Sequence, residues 1–127
     1  MRLRFGLVAM FSAFLFAASA WAGELPYDKT AFDKALAEGK PVIVDFFADW
    51  CPTCKAQKPH VRSLLGEAGM KDVTLFIADY DKEKDLKKAL RVTQQATFVV
   101  FKSGKEVGRS TGQTKKEDLA ALFGKAL

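Results

Sequence analysis

The run Val42-Ile43-Val44-Asp45-Phe46-Phe47-Ala48 is apolar on both alternating faces except at Asp45. A strand of that composition must be covered on each side, which places it in the middle of a sheet with helices on both faces. Pro41 opens it. Directly after it, Trp50-Cys51-Pro52-Thr53-Cys54 leads into a helical pattern running from near Cys51 to about Leu65. Pro59 falls inside that helix and is expected to kink it, because proline removes a backbone donor.

The flanking elements follow from their own patterns. Asp28 or Thr30 is placed to cap a helix reaching about Glu38, with Phe32, Ala35 and Leu36 on one side and Gly39 as its stop. Val73 to Ala78 reads as a strand, Lys82 to Leu90 as a helix, and Thr97 to Phe101 as a strand by its β-branched and aromatic content. Lys102 to Lys105 forms a tight turn into a strand from Glu106 to Ser110. Thr114 and Glu117 have capping-box spacing before a final amphipathic helix. The expected fold is α/β, a mixed central sheet of about four strands flanked by helices on both faces. Its early strands, separated by helices, run parallel, and the late hairpin is antiparallel.

A chain of 127 residues has room for one domain. Residues 1–22 read as an export signal: Arg2 and Arg4, an apolar run from Phe5 to Ala18, then Ala20-Trp21-Ala22 with small residues where a signal peptidase cuts. The alternative is an uncleaved anchor from Phe5 to Ala22, at the short edge of what spans a bilayer. Either way residues 23–127 form one domain outside the cytosol, in the periplasm of a bacterium, where disulfides persist. The whole chain carries a net charge of +5, and without Arg2 and Arg4 the excess is +3, 18 Lys and Arg against 15 Asp and Glu. Both signs are interleaved, as in Lys82-Glu83-Lys84-Asp85, so the expectation is a solvated surface and no nucleic-acid partner.

Cys51 and Cys54 are the only cysteines, and several chemistries compete for a lone Cys-x-x-Cys. Haem attachment needs His at position 55, where Lys55 stands. A closed zinc site needs about four ligands, and beyond the two cysteines His60 is the one histidine. A structural disulfide across two residues restrains the unfolded chain little. Redox catalysis fits the position: Cys51 falls where an apolar strand ends and a helix begins, so unpaired N–H groups and the helix dipole favour its thiolate. Cys51, exposed at the helix tip, is expected to attack a substrate disulfide, and Cys54, one turn inward and shielded, to resolve the mixed disulfide. Pro52 and Thr53 between them tune the potential.

Asp45 is costly in an apolar strand unless it is used or paired. Beneath the cysteine pair it is placed to accept the proton of Cys54, with its pKa raised by burial. The alternative is an aspartate at a frayed strand end. Trp50 is a candidate to cover the disulfide and contact substrate, or is an ordinary half-buried aromatic. His60, beyond Pro59, reads as a surface histidine.

The segment VIVDFFADWCPTCK, Val42 to Lys55, resembles the thioredoxin family. Pro59 falls where that family kinks its active-site helix, and ATFVVFKSGKEVGRSTG resembles its final hairpin, so the resemblance covers residues 25–127. It implies a thioredoxin fold, Cys51 and Cys54 as the redox pair, and Asp45 as its buried acid. The surface meeting substrate would comprise Trp50, Pro52, Thr53, Gln95, Ala96 and Thr97. CPTC also resembles the tetrad of some periplasmic thioredoxin-like reductants of cytochrome c maturation. Two departures stand out. Ala96 occupies the place of the family's cis-proline, and since a cis bond to alanine costs about 2.5 to 4 kcal/mol the Gln95–Ala96 bond is expected to be trans. The lysine that partners the family's buried aspartate is missing from the matching strand, Leu75-Phe76-Ile77-Ala78-Asp79.

The expected function is that of a monomeric periplasmic reductase of oxidised protein substrates. It receives electrons from a transmembrane thiol donor and needs no cofactor beyond the Cys51–Cys54 disulfide. A disulfide-forming or isomerising enzyme is the second reading. A non-catalytic module binding copper(I) through the two thiols is the third.

Overall fold

The structure, a computed structural model, describes residues 23–127, so the expected export segment lies outside the described residues. In chain order the elements are β1 (Glu24–Pro26), α1 (Lys29–Ala37), β2 (Val42–Phe47), α2 (Pro52–Leu65), a 3-10 turn (Ala68–Met70), β3 (Thr74–Asp79), α3 (Lys84–Leu90), β4 (Thr97–Lys102), β5 (Lys105–Thr111) and α4 (Lys116–Gly124). They build one sheet in the order β1-β3-β2-β4-β5. The apolar run from Val42 to Phe47 is its central strand: β2 pairs parallel with β3 on one side and antiparallel with β4 on the other.

Period-two alternation along β2 divides the interior into two layers. Val42, Val44 and Phe46 join Phe76, Val99 and Phe101 against Phe32 of α1 and Leu86 of α3. Ile43 joins Leu75, Phe98 and Val100 against Val61 and Leu64 of α2 and Leu119 and Phe123 of α4. Each large side chain so buried contributes about 1.5–3 kcal/mol. Asp45, two residues after Ile43, therefore faces the α2 and α4 layer, the side from which the cysteine helix approaches.

The sheet has five strands where four were expected. Glu24-Leu25-Pro26 pairs parallel with β3 through Leu75, Phe76 and Ile77. Three residues ending in proline carry no readable alternation, and proline is tolerated there because β1 is an edge strand. Among the helix caps, Asp28 rather than Thr30 closes α1, its Oδ2 accepting the Ala31 N–H at 2.9 Å. The Thr114–Glu117 capping box does not form, since α4 is entered through Lys115 with no side-chain cap bond. α2 continues through Pro59, which leaves the Lys55 carbonyl without its helical donor.

Candidate active site

β2 ends at Phe47, and after Ala48, Asp49 and Trp50 the chain turns at Cys51 into α2, so the cysteines sit at the carboxyl end of the central strand. Cys51 is the N-cap of α2, extended at φ −91°, with Pro52 at the first helical position, where its missing N–H is no loss. The Cys51 Sγ accepts the N–H of Cys54 at 3.1 Å. This bond and the helix dipole stabilise negative charge on that sulfur. Both cysteines are free thiols.

The expectation that Cys51 is exposed is corrected. Cys51 and Cys54 are each 1% exposed, packed with Ala48 and Ala96, with Phe47 and Tyr80 against them. The residue-96 segment closes over the helix tip, a long-range contact that local sequence does not announce. What separates the two sulfurs is their electrostatic setting. Burial pushes the Cys54 thiol up to about 12, aided by its hydrogen bond to Cys51. Cys54 therefore holds its proton until a base removes it.

Asp45 is 3% exposed and its Oδ1 has no hydrogen-bond partner. Burial raises its pKa to about 7, opposed by the positive charge of Lys58 and assisted by the carboxylate of Glu24. The matching strand β3 carries no lysine, as expected, Ile77 being the register partner of Asp45; the positive charge acting on the aspartate comes from Lys58 of α2 instead. Lys58 Nζ also lies 4.5 Å from the Phe47 ring centroid. Glu24, Lys58, Arg62 and Ile77 line a surface pocket of about 300 Å³, and Glu24 approaches Arg62 at 3.8 Å. Lys58→Met is expected to push the Asp45 carboxyl higher still, and Glu24→Gln to lower it. Carboxyl-carbon NMR titration of Asp45 checks both, and two curves superimposed on wild type would remove these charges from the site.

Trp50 is 56% exposed, its indole Nε1 donating to Asp81 Oδ2 at 2.7 Å, so the ring is held at the surface beside the cysteine turn. Pro52 is exposed and Thr53 half-buried. Across from them the Gln95–Ala96 bond is trans, and Ala96 adopts the left-handed conformation at φ +59°. Ala96 and Thr97 are both 3% exposed. The Thr97 hydroxyl is engaged with the Gln94 carbonyl and with Thr111 Oγ1, each at 2.8 Å, leaving Gln95 as the part-exposed member of the three. The structure brings Cys51, Cys54 and Ala96 together and places Asp45 on the same side of the sheet. His60 is half-buried on α2. Among the described residues no group of three or more His, Cys, Asp or Glu is placed to hold a metal.

Three polar residues at the site were not singled out from sequence: Lys58, Glu24 and Gln57. Gln57 had a readable signal. It shares the buried face of α2 with Cys54, Val61, Leu64 and Leu65, and an amide on an otherwise apolar stripe must find partners.

Comparison with known proteins agrees with this geometry. The family model described as Thioredoxin matches residues 24–125. A thioredoxin of Chlamydia trachomatis is 36% identical over 94 residues, covering 74% of this chain and 89% of the relative. Among solved structures, Trxlp from Edwardsiella tarda superimposes with a TM-score of 0.76 at 38% identity, covering 79% of this chain and 96% of that one. Oxidised mitochondrial thioredoxin 3 from Saccharomyces cerevisiae gives a TM-score of 0.65 at 30% identity, covering 77% and 89%.

Proposed function

The chain belongs to the thioredoxin family and is a thiol-disulfide oxidoreductase, and from that premise we propose that it reduces protein disulfides in the periplasm, as a monomer fed by a transmembrane thiol donor. The observation that carries the chemistry is the Cys51 sulfur at the cap of α2, bonded to the Cys54 N–H, with Cys54 and Asp45 buried behind it. The Cys51 thiolate attacks one sulfur of the substrate disulfide, and the other leaves as a thiolate that takes up a proton. Cys54 passes its proton to the Asp45 carboxylate and attacks Cys51, expelling the second substrate thiolate. That thiolate is then protonated. Two electrons and two protons move to the substrate, and the chain is left with a Cys51–Cys54 disulfide for the donor to reduce.

Asp45 suits the proton step because a carboxyl titrating near pH 7 is close to the working pH, where a general base is most effective. Export rests on Arg2, Arg4, the apolar run and Ala20-Trp21-Ala22. The reducing direction rests on the absence of histidine between the cysteines, where Pro52 and Thr53 stand. Equilibration with glutathione tests it. The expected potential lies near the reductant end of the family, about −270 mV, and a value near −120 mV would make the protein an oxidant.

A further inference from the structure

We propose that Gln57 is a positioning residue that holds the segment facing the cysteines in the shape a protein substrate docks against. The inference rests on the oxidoreductase reading and deepens it. Gln57 is 1% exposed. Its Nε2 donates to the Gln113 carbonyl at 2.8 Å and, more weakly, to the Ala96 carbonyl at 3.4 Å. One amide thus joins three parts of the chain: the cysteine helix, the segment entering β4 and the segment leaving β5.

These bonds fall on the strained residue of the site. Ala96 sits at φ +59°, a conformation that disfavours any side chain and persists only where its surroundings impose it. The imposing contacts are all present. The Ala96 N–H donates to the Phe46 carbonyl at 2.9 Å, its carbonyl accepts from the Gly112 N–H at 3.0 Å, and Gln57 adds the third tie. Gly112, at φ +76°, supplies the turn that brings its N–H to that carbonyl. With Ala96 fixed at both ends of its peptide, the adjoining Gln95 is presented in one arrangement, next to the Ala96 that packs on Cys51. An apolar residue would fill the core at position 57 as Val61 and Leu64 do one and two turns on, so the amide's distinctive contribution is the connection.

The consequence is separable from sulfur chemistry. A protein substrate must lie against the Gln95 segment, whereas a small aromatic disulfide need only reach Cys51. Gln57→Met keeps the length of the side chain and removes its donor. For insulin reduction its KM is expected to rise about five- to tenfold with kcat within about twofold of wild type, a change of the size a net hydrogen-bond contribution produces. Its rate with 5,5′-dithiobis(2-nitrobenzoate) is expected to be unchanged. An unaltered insulin KM, or equal losses on both substrates, would overturn the proposal. Should circular dichroism show that Gln57→Met does not fold, Gln57→Leu, which matches the apolar stripe of Val61 and Leu64, removes the same donor without touching the residues that face substrate. It is expected to fold and keep the raised insulin KM, and a wild-type KM there would equally overturn it. A wild-type protein inert toward both disulfides would instead sink the oxidoreductase reading itself.

Discussion

Cys51→Ser is expected to lower disulfide turnover by more than about 10³-fold, while Cys54→Ser accumulates a covalent adduct with substrate. The asymmetry follows from the cap geometry. Serine at 51 preserves the cap, because its hydroxyl also accepts the residue-54 N–H, but it removes the sulfur that must attack. Serine at 54 leaves the Cys51 sulfur and its position intact, so the first exchange proceeds and the second has no thiol to complete it. Mass spectrometry of the reaction mixture distinguishes them: a substrate adduct on Cys51 in the Cys54→Ser protein and none in the Cys51→Ser protein. Equal residual activity in the two variants would contradict the assignment of attacking and resolving roles.

Asp45→Asn is expected to act on rate and on stability in opposite directions. Asparagine cannot take the Cys54 proton, so resolution should slow by about 10²-fold, the low end of what a positioned base contributes, and its dependence on pH near 7 should vanish. Stopped-flow measurement of mixed-disulfide decay checks this, and an unchanged pH–rate curve would remove Asp45 from the proton path. The stability effect follows from linkage. The folded carboxyl titrates near 7 and the unfolded one near 3.8, so the unfolded state ionises first as pH rises. The stabilisation is complete below about pH 4 and is lost progressively through pH 7, and the loss amounts to about 4 kcal/mol by pH 9. Asparagine carries no such penalty. Denaturant melts should therefore show the variant more stable than wild type at pH 9 and little different near pH 4, and parallel pH profiles would contradict a buried, unsatisfied carboxylate.

Much of the fold was readable because the decisive signals are local. The run from Val42 to Ala48 has no exposed face, so it had to be the centre of a sheet, and Pro41 and Pro52 bracket it. Asp28 and Gly39 bounded α1 for the same reason. What escaped the sequence is what depends on partners distant along the chain. β1 is three residues defined only by β3. Cys51 is buried because Ala96, forty-five positions on, packs against it. The positive charge acting on Asp45 comes from Lys58, three residues before Val61 on a helix whose facing could be read but whose height over the sheet could not. Gln57 is the intermediate case: its place on an apolar stripe was legible, and its partners, the carbonyls of Ala96 and Gln113, were not.

Two cysteines three residues apart differ because one sulfur caps a helix and the other is kept protonated by burial. Timed iodoacetamide alkylation of the fully reduced protein at pH 8, read by peptide mass mapping, measures that difference directly. Label is expected on Cys51, with Cys54 left unmodified over the same interval. Comparable labelling of both thiols would contradict it.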